Sequence, residues 1–216
     1  MEMTDKEAAF FRQALERCRH YLEYGAGGST LAVVETPSVI RATTVESDAE
    51  FFKTRVLPHT PIQKALADKR LFVHAVDVGQ TDAWGMPRDA SKKALWPNYS
   101  AAPYQNSDCH PDLILVDGRF RIACCLMAAL NAPDATVLVH DYNARPTYRI
   151  VEDFFEIERR VDSIAQLRRR RAVPESKIQP VWERYAASPD DAPVSLRDRA
   201  RSLIWRTQHW LNKRLP

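Results

Sequence analysis

A glycine-rich turn near the start of the chain has the residue types of a nucleotide-binding turn. An acidic residue stands two places before its first glycine, and two hydroxyl residues follow its last glycine, in the sequence Glu23-Tyr24-Gly25-Ala26-Gly27-Gly28-Ser29-Thr30. Apolar residues before the turn predict a strand, and the hydroxyl residues are suited to begin a helix. A strand, a glycine turn and a helix N-terminus present backbone N–H groups to a polar or anionic ligand at one point. The turn therefore predicts a nucleotide ligand.

The residues around the glycines distinguish between nucleotides. Counted from Gly25 and Gly27, the third glycine position of the dinucleotide fingerprint holds Thr30, which disfavours NAD. No Lys-Ser or Lys-Thr follows the turn, so a P-loop is disfavoured as well. A carboxylate at Glu23 would repel a pyrophosphate but suits a ligand with an ammonium group and ribose hydroxyls. Glu46 closes the second predicted strand, where it can accept both ribose hydroxyls, as an acid does in NAD enzymes.

An acidic residue two places before a Gly-x-Gly turn resembles the first motif of class I S-adenosylmethionine-dependent methyltransferases. In that family the acidic residue meets the amino-acid end of the ligand, directly or through water, and the turn passes its ribose. The resemblance also implies that Asp77, at the end of the third predicted strand, contacts the adenine. We predict S-adenosylmethionine as the cofactor, bound by Glu23, Gly25, Ala26, Gly27, Ser29, Thr30, Glu46, Ser47, Asp77, Val78 and Asp117.

Polar residues also follow the fourth and fifth predicted strands. The two segments are Val116-Asp117-Gly118 and His140-Asp141-Tyr142. They are similar to the motifs with which macrocin-type O-methyltransferases hold Mg²⁺ against a substrate with adjacent hydroxyls. Asp117 and Asp141 keep the carboxylates of those motifs, whereas His140 replaces an aspartate and Arg119 stands in place of a second acid.

The histidine in this cluster admits three interpretations. Mg²⁺ prefers hard oxygen ligands, so His140 weakens a Mg²⁺ site and suits Mn²⁺, Fe²⁺ or Zn²⁺ better. Alternatively, His140 is a general base oriented by Asp117 or Asp141 in a metal-free enzyme. As a third interpretation, it only forms a hydrogen bond at a strand end. We favour the metal-free enzyme and predict Asp117, His140 and Asp141 as catalytic residues, with no metal-binding residue; a divalent metal is not expected.

A long loop and several arginines flank these motifs. Residues 79–110 carry Trp84 and Trp96, which either stack on a sugar or aromatic acceptor or pin the loop to the domain. Three arginines either hold a phosphorylated or carboxylated acceptor or are simply solvated: Arg119, Arg121 and Arg145.

Four segments together resemble a little-studied bacterial group of methyltransferase-like proteins over about residues 9–155: Tyr21–Thr30, Val45–Asp48, Asp77–Gly85 and Val116–Arg121. This resemblance implies seven strands, of which the last two are antiparallel, and makes Glu158–Arg171 the closing hairpin. Periodicity alone leaves that segment open between a hairpin and a charged helix.

Apolar runs alternate with helical patterns along the chain, as in βαβ units with a mostly parallel sheet. The predicted strands are Tyr21–Tyr24, Ile40–Val45, Leu71–Val76, Leu113–Val116 and Thr136–Val139. The predicted helices are Glu7–Cys18, Ser29–Thr36, Asp48–Leu57, Phe120–Leu130 and Thr147–Phe155. We therefore predict an α/β, Rossmann-like fold with a mostly parallel seven-stranded sheet flanked by helices.

Composition limits the class of protein. A chain of 216 residues with 45% hydrophobic residues suits one domain, and a net charge of +3 does not argue for a nucleic-acid partner. Neither a signal sequence nor an apolar run of roughly 20 residues is evident, so we expect a cytoplasmic protein. The four cysteines show no metal-binding spacing and are expected to be reduced and mostly buried.

The end of the chain is basic. We assign residues 1–172 to an S-adenosylmethionine-binding domain and residues 173–216 to an extension, with a loose connection from Pro174 and an amphipathic helix over Ser195–Lys213. Such a helix either covers its own domain or a dimer partner, or lies on an anionic membrane surface. The oligomeric state is open, and a dimer is plausible.

Together these features predict an S-adenosylmethionine-dependent methyltransferase. We expect O-methylation of a small hydroxylated acceptor such as a sugar or polysaccharide unit. A non-catalytic S-adenosylmethionine-binding protein is the alternative, and an NAD-linked oxidoreductase is disfavoured by Thr30 and Glu23.

Overall fold

The computed structural model describes residues 3–105, 108–189 and 191–192. Seven strands form one sheet in the order β3-β2-β1-β4-β5-β7-β6. Their bounds are β1 His20–Tyr24, β2 Arg41–Glu46, β3 Leu71–Ala75, β4 Leu113–Val116, β5 Thr136–Val139, β6 Phe155–Val161 and β7 Ile164–Arg169. Strands β1 to β5 are mutually parallel, and β7 runs antiparallel to both β5 and β6. The predicted Rossmann-like architecture is confirmed.

The position of the site follows from the strand order. The chain winds outward from β1 through β2 to β3, then returns to place β4 on the other side of β1. Ligands of open α/β sheets bind at this reversal, beyond the carboxyl ends of the strands. The glycine turn follows β1, and the Asp-Gly segment follows β4, so both motifs lie at the reversal.

Helices cover both faces of the sheet. They are α1 Asp5–Leu15, α2 Gly28–Glu35, α3 Ala49–Phe51 with a π-helical turn over Phe52–Val56, α4 Thr60–Ala67, α5 Pro97–Ala101, α6 Arg121–Asn131 and α7 Glu175–Tyr185. Among the residues that the structure describes, the buried hydrophobic side chains form two clusters. In the part of the chain that the structure describes, no helix is both long and apolar enough to cross a membrane.

The closing hairpin resolves the ambiguity left by periodicity. Residues 155–169 form β6 and β7, so the hairpin implied by the resemblance is confirmed and the charged helix is wrong. The preceding helix predicted over Thr147–Phe155 is a 3₁₀-helix, Pro146–Asp153, and Phe155 already belongs to β6. Its buried Tyr148 and Val151 are three residues apart, and residues at this spacing lie on one side of a 3₁₀-helix.

The loose connection predicted from Pro174 is wrong for its first part, which forms α7. Pro and Ser residues in this segment hid an amphipathic pattern, since Ile178, Val181, Trp182 and Tyr185 recur at the spacing of one helical face. That face packs on the larger hydrophobic cluster. Helix α4 was also missed by the sequence analysis. The basic helix predicted over Ser195–Lys213 lies outside the described residues.

A residue beyond α7 caps the helix that follows β4. Phe120, at the N-cap of α6, has a buried ring and a left-handed backbone with φ of +53°, and its side chain offers no cap. The carboxylate of Asp191 instead accepts hydrogen bonds from the backbone N–H groups of Arg121, at 3.1 Å, and Ile122, at 2.9 Å. Asp191 is buried, and burial raises its pKa to about 6. A residue that follows α7 in the sequence thus stabilises the N-terminus of α6.

We expect Asp191→Ala to lower the free energy of unfolding by about 1–2 kcal/mol, because two buried N–H groups of α6 lose their acceptor. Chemical denaturation measures the effect. Asp68→Ala, which removes an exposed carboxylate after α4, serves as the control. Equal stability of the Asp191→Ala variant and the wild type would show that this carboxylate does not stabilise α6.

Candidate active site at the carboxyl edge of the sheet

Two glycines bring the turn after β1 against the segment after β4. Gly25 has a φ of +97°, and a Cβ atom there would lie 2.9 Å from the backbone N and Cα of Gly118. A side chain at Gly118 would in turn collide with the hydroxyl of Tyr99. The two segments can approach this closely only because both positions are glycine. Asp117, next to Gly118, therefore lies beside the glycine turn.

Glu23 supports the turn from inside the protein. Its side chain is fully buried, and its two carboxylate oxygens accept hydrogen bonds from four hydroxyl groups: Thr30 at 2.5 Å, Ser29 at 2.8 Å, Thr44 at 2.9 Å and Tyr21 at 3.2 Å. Burial raises the pKa of Glu23 to about 7, although these hydrogen bonds act in the opposite direction. The predicted contact between Glu23 and the amino-acid end of the ligand stays a prediction.

Thr30 stands where a dinucleotide-binding turn has its third glycine, and it forms part of this support. Its O–H group donates to Glu23, and its oxygen accepts a hydrogen bond from the backbone N–H of Gly27 at 2.9 Å. One hydroxyl thus links the buried carboxylate to the glycine turn. The threonine that disfavoured NAD in the sequence has a structural role in the turn.

Glu46 ends β2 beside the same turn. Its carboxylate accepts hydrogen bonds from the backbone N–H groups of Ala26 at 2.9 Å, Ser47 at 2.7 Å and Asp48 at 2.9 Å. Only 7% of the residue is exposed, and burial raises its pKa despite these bonds. The Ser47 hydroxyl is a fourth donor, at 3.3 Å, so Oε1 has three donors and Oε2 has one. Because each carboxylate oxygen has about two lone-pair sites, Oε2 keeps one for a ligand.

The third strand contributes less to this arrangement. Asp77 is exposed and forms an ion pair with Lys92, which together with the N–H of Gly79 holds its pKa below the usual range. Val78 is fully buried, and its carbonyl accepts a hydrogen bond from the indole N–H of Trp96 at 2.9 Å. The structure thus places Asp77 and Val78 in contact with the long loop, and their predicted role in cofactor binding stays a prediction.

The tryptophans of the long loop have different environments. Trp96 is buried and packs on Phe120 with a ring-centroid distance of 5.8 Å, so it pins the loop to the domain. Trp84 is 72% exposed and has a left-handed backbone with φ of +64°. The next residue, Gly85, lies so close to Glu46 and Ser47 that a Cβ atom would approach the Ser47 hydroxyl to 2.7 Å. The Trp84 turn therefore lies next to Glu46.

Asp117, His140 and Asp141 lie together, as the sequence predicted for strand ends. The imidazole Nδ1 of His140 is 3.0 Å from Asp117 Oδ1 and 3.8 Å from Asp141 Oδ1. His140 is 8% exposed, whereas the side chains of Asp117 and Asp141 are about one-third exposed. An incoming molecule would therefore meet the carboxylates more readily than the imidazole.

A fourth residue of this cluster, Glu7, was missed by the sequence analysis. Its Oε2 lies 3.6 Å from His140 Nε2, and its Oε1 accepts hydrogen bonds from the backbone and hydroxyl of Ser163. Burial disfavours the charged imidazole, but the hydrogen bond to Asp117 and the charges of Asp117, Asp141 and Glu7 outweigh burial and raise the pKa of His140. The capping-box pattern of Thr4 and Glu7 was visible in the sequence, but it signals a helix start and nothing about His140.

Arg121 joins the ends of β4 and β5. Its buried guanidinium donates to the backbone carbonyls of His140 at 2.6 Å, Gly118 at 2.9 Å and Asp117 at 3.1 Å. It also lies 3.3 Å from the Asp117 carboxylate and 3.2 Å from that of Asp141. We predicted that Arg121 either binds the acceptor or is solvated. Both alternatives are wrong, because the N–H donors of its guanidinium bind groups of the protein itself.

The same guanidinium bears on metal binding. Asp117, His140 and Asp141 offer three ligand atoms within 4.8 Å of one another, a number that suits Zn²⁺, Mn²⁺ or Fe²⁺ better than Mg²⁺. Arg121, however, already contacts both carboxylates, and its charge would repel a divalent cation bound between them. The residues present therefore fit a metal poorly.

Solved structures provide the comparison that decides the family. The chain is 30% identical to a methyltransferase-like protein, spo2022, from Silicibacter pomeroyi DSS-3; the match covers 88% of this chain and 97% of the other, with a TM-score of 0.74. The chain belongs to the class I S-adenosylmethionine-dependent methyltransferase superfamily. The strand order agrees with that assignment, as do the glycine turn after β1 and the Asp-Gly segment after β4.

Other similarities are more distant. Sp1610 of Streptococcus pneumoniae, a candidate tRNA (m1A22) methyltransferase, is 12% identical over 99% of this chain and 90% of the other, with a TM-score of 0.47. The CcbJ methyltransferase from Streptomyces caelestis is 17% identical over 66% of this chain and 52% of the other, with a TM-score of 0.37. Neither similarity contributes to the assignment. No protein-family model matches the methyltransferase-like chain, and no curated protein matches it significantly.

The buried Glu23 predicts a pH dependence of stability. Its pKa is about 7 in the folded protein and has a reference value of 4.5, so the folded state binds more protons between these pH values. The free energy of unfolding should therefore fall as pH rises from about 4.5 to 7, by roughly 3 kcal/mol for a shift of this size. Glu23→Gln, which cannot titrate, should lose this part of the fall and keep the part that arises from the raised pKa values of Asp191 and Glu46, whereas the exposed Glu35→Gln should behave as the wild type. Denaturation across this pH range measures the difference, and equal slopes for Glu23→Gln and wild type would contradict the expectation.

Proposed function

We propose that this chain is an S-adenosylmethionine-dependent methyltransferase that methylates a hydroxyl group of a small acceptor. One observation carries the proposal: the contact between Gly25 and Gly118 sets the cofactor turn directly beside the Asp117 cluster. A methyl donor bound along the turn would thus have its reactive end near residues that can bind a hydroxyl. Membership of the methyltransferase superfamily supports this reading of the site.

The donor side would be formed by the turn and Glu46. Helix α2 begins at Gly28, directly after the turn, and Oε2 of Glu46 has acceptor capacity for a ribose hydroxyl. S-adenosylmethionine, when bound, supplies an electrophilic methyl group on its sulfonium. Methyl transfer then requires the protein to position the acceptor, take up its proton and exclude water.

On the acceptor side, Asp117 is the residue that would contact the hydroxyl. Its side chain is partly exposed, and His140 and Arg121 hold one of its oxygens. As the oxygen of the acceptor attacks the methyl carbon and the S–C bond breaks, the hydroxyl proton passes to the Asp117–His140 pair. The raised pKa of His140 means that this pair accepts a proton best when the pH is above the ordinary range for histidine. A sugar or polysaccharide unit remains the proposed type of acceptor.

A non-catalytic S-adenosylmethionine-binding protein is the second candidate. The observation that favours it is the enclosure of His140, which is 8% exposed and lies between Asp117 and Glu7. Such a histidine can serve as a structural link between β5, β4 and α1. This candidate shares the donor site and differs only in lacking turnover.

Calorimetry with S-adenosylmethionine, S-adenosylhomocysteine and NAD tests the donor site. We expect binding of both sulfur compounds and weak or no binding of NAD. Glu46→Gln should weaken binding by about 10- to 100-fold, the loss expected for charge-assisted hydrogen bonds to the ribose. Glu50→Gln, an exposed change after the same strand, should not alter affinity. Tight NAD binding with no response to the sulfur compounds would refute the proposal.

Release of S-adenosylhomocysteine in the presence of hydroxylated acceptors tests catalysis. We expect the wild type to release the product with at least one sugar or polysaccharide acceptor and the rate to rise with pH through the raised pKa of His140. Asp117→Ala should abolish release while binding of S-adenosylhomocysteine persists. Asp68→Ala controls for the loss of a carboxylate elsewhere. Turnover that is unchanged in Asp117→Ala would remove this residue from the mechanism.

A further inference from the structure

The guanidinium groups of two half-buried arginines near the proposed catalytic cluster have no partner among the residues that the structure describes. Arg119 follows Gly118, and Arg145 lies in the segment after β5. Neither guanidinium makes a hydrogen bond or an ion pair with any residue that the structure describes, and the Nε atom of Arg119 is buried without an acceptor. Some other half-buried arginines have acceptors: Arg70 donates to the carbonyls of Val34 and Val39, and Arg170 donates to those of Glu152 and Phe155. The Nε atoms of Arg41 and Arg169 are also buried without an acceptor, but the Arg41 guanidinium packs on Phe72 and Arg169 donates to the carbonyl of Val173.

The two arginines are also close to other positive charge. Burial lowers the pKa of Arg119, and the neighbouring cations Arg121 and Arg145 lower it further, while Tyr148 and Asp191 act in the opposite direction. Arg121 is compensated by its contacts with Asp117 and Asp141. The carboxylate of Asp191 is bonded to two backbone N–H groups of α6. Positive charge at Arg119 and Arg145 is therefore left without a direct counter-charge.

Tyr148 adds a neutral donor to this group. Its ring is buried, and the guanidinium of Arg121 lies 6.0 Å from the ring centroid. Burial raises the pKa of Tyr148, and Asp191 adds to the effect, whereas Arg121, Arg145 and Arg119 oppose it. The phenol therefore keeps its proton at neutral pH. Within the described part of the chain, its hydroxyl has no hydrogen-bond partner, so it remains able to donate.

We propose that Arg119, Arg145 and the hydroxyl of Tyr148 form a subsite for an anionic group of the acceptor, a carboxylate or a phosphate, next to Asp117. Guanidinium groups bind both anions through two parallel N–H donors. An anion placed between these arginines relieves their mutual repulsion and satisfies donors that the protein leaves unused. The inference rests on the proposed function and narrows it: the acceptor is a hydroxylated acid or a phosphorylated sugar, held by its charge while its hydroxyl meets Asp117.

Titration with simple anions tests this subsite without knowledge of the acceptor. Inorganic phosphate and malonate are titrated separately into the full chain, followed by protein NMR that detects arginine Nε–H groups, with and without S-adenosylhomocysteine. We expect saturable binding of at least one anion and a shift of two arginine Nε–H signals. Arg119→Met should lose one of these signals, and Arg145→Met should lose the other. Each variant should bind the anion at least tenfold more weakly, and Arg119→Lys, which keeps the charge, should retain part of the affinity.

Arg171→Met is the matched control, since Arg171 is exposed and paired with Asp134. It should bind as the wild type does, and thermal unfolding verifies that each variant is folded. Tighter binding of phosphate indicates a phosphorylated acceptor, and tighter binding of malonate a carboxylated one. The subsite is disproved if neither anion binds saturably, or if both methionine variants bind as well as the wild type. Because the titration is also run without S-adenosylhomocysteine, failure of donor binding is seen separately from failure of the subsite.

Discussion

The guanidinium of Arg121 holds together the carboxyl ends of β4 and β5. It binds three backbone carbonyls and lies against the carboxylates of Asp117 and Asp141, at the first position of α6. Removing one member of such a buried ionic network typically costs about 3–5 kcal/mol, because the remaining charges lose their partner. Arg121 therefore fixes the spacing of Asp117, His140 and Asp141 and compensates the charge of the two carboxylates. Its own position depends in turn on Asp191, which binds its backbone N–H.

Charged groups on the proposed donor side have partners within the protein, whereas two cations on the proposed acceptor side do not have one among the described residues. Glu23 and Glu46 are buried carboxylates, and hydroxyl or backbone N–H groups supplied by the protein satisfy them. Beyond the cluster, Arg119 and Arg145 are cations that the described protein does not satisfy. This difference supports the proposal of a rigid donor site next to an acceptor site that the charge of the substrate completes.

Local patterns in the sequence sufficed for the parts of the fold that depend on neighbouring residues. The strands of the parallel sheet, the glycine turn and the polar residues at strand ends follow from periodicity and turn chemistry, and the structure brings Asp117, His140 and Asp141 together as expected. The hairpin required a family resemblance, because its charged, half-exposed strands have no decisive period. Helix α7 was missed because Pro and Ser residues outweighed its apolar face.

The rest of the site could not be predicted because it depends on contacts between distant parts of the chain. Glu7 approaches His140 from α1, and Asp191 reaches α6 from beyond α7. Arg121 was predicted to be solvated or to bind the acceptor, but it is buried because it binds backbone carbonyls at the ends of β4 and β5. No spacing within the sequence encodes these three roles.

The central claim is that the Gly25–Gly118 contact places a methyl donor against the Asp117 cluster. A crystal structure of the complex with S-adenosylhomocysteine tests it most directly. We predict ribose hydroxyls within hydrogen-bonding distance of Glu46, the glycine turn along the ribose, and the sulfur facing Asp117. A ligand bound away from the glycine turn, or a sulfur atom turned away from Asp117 with protein filling the space between them, would contradict it.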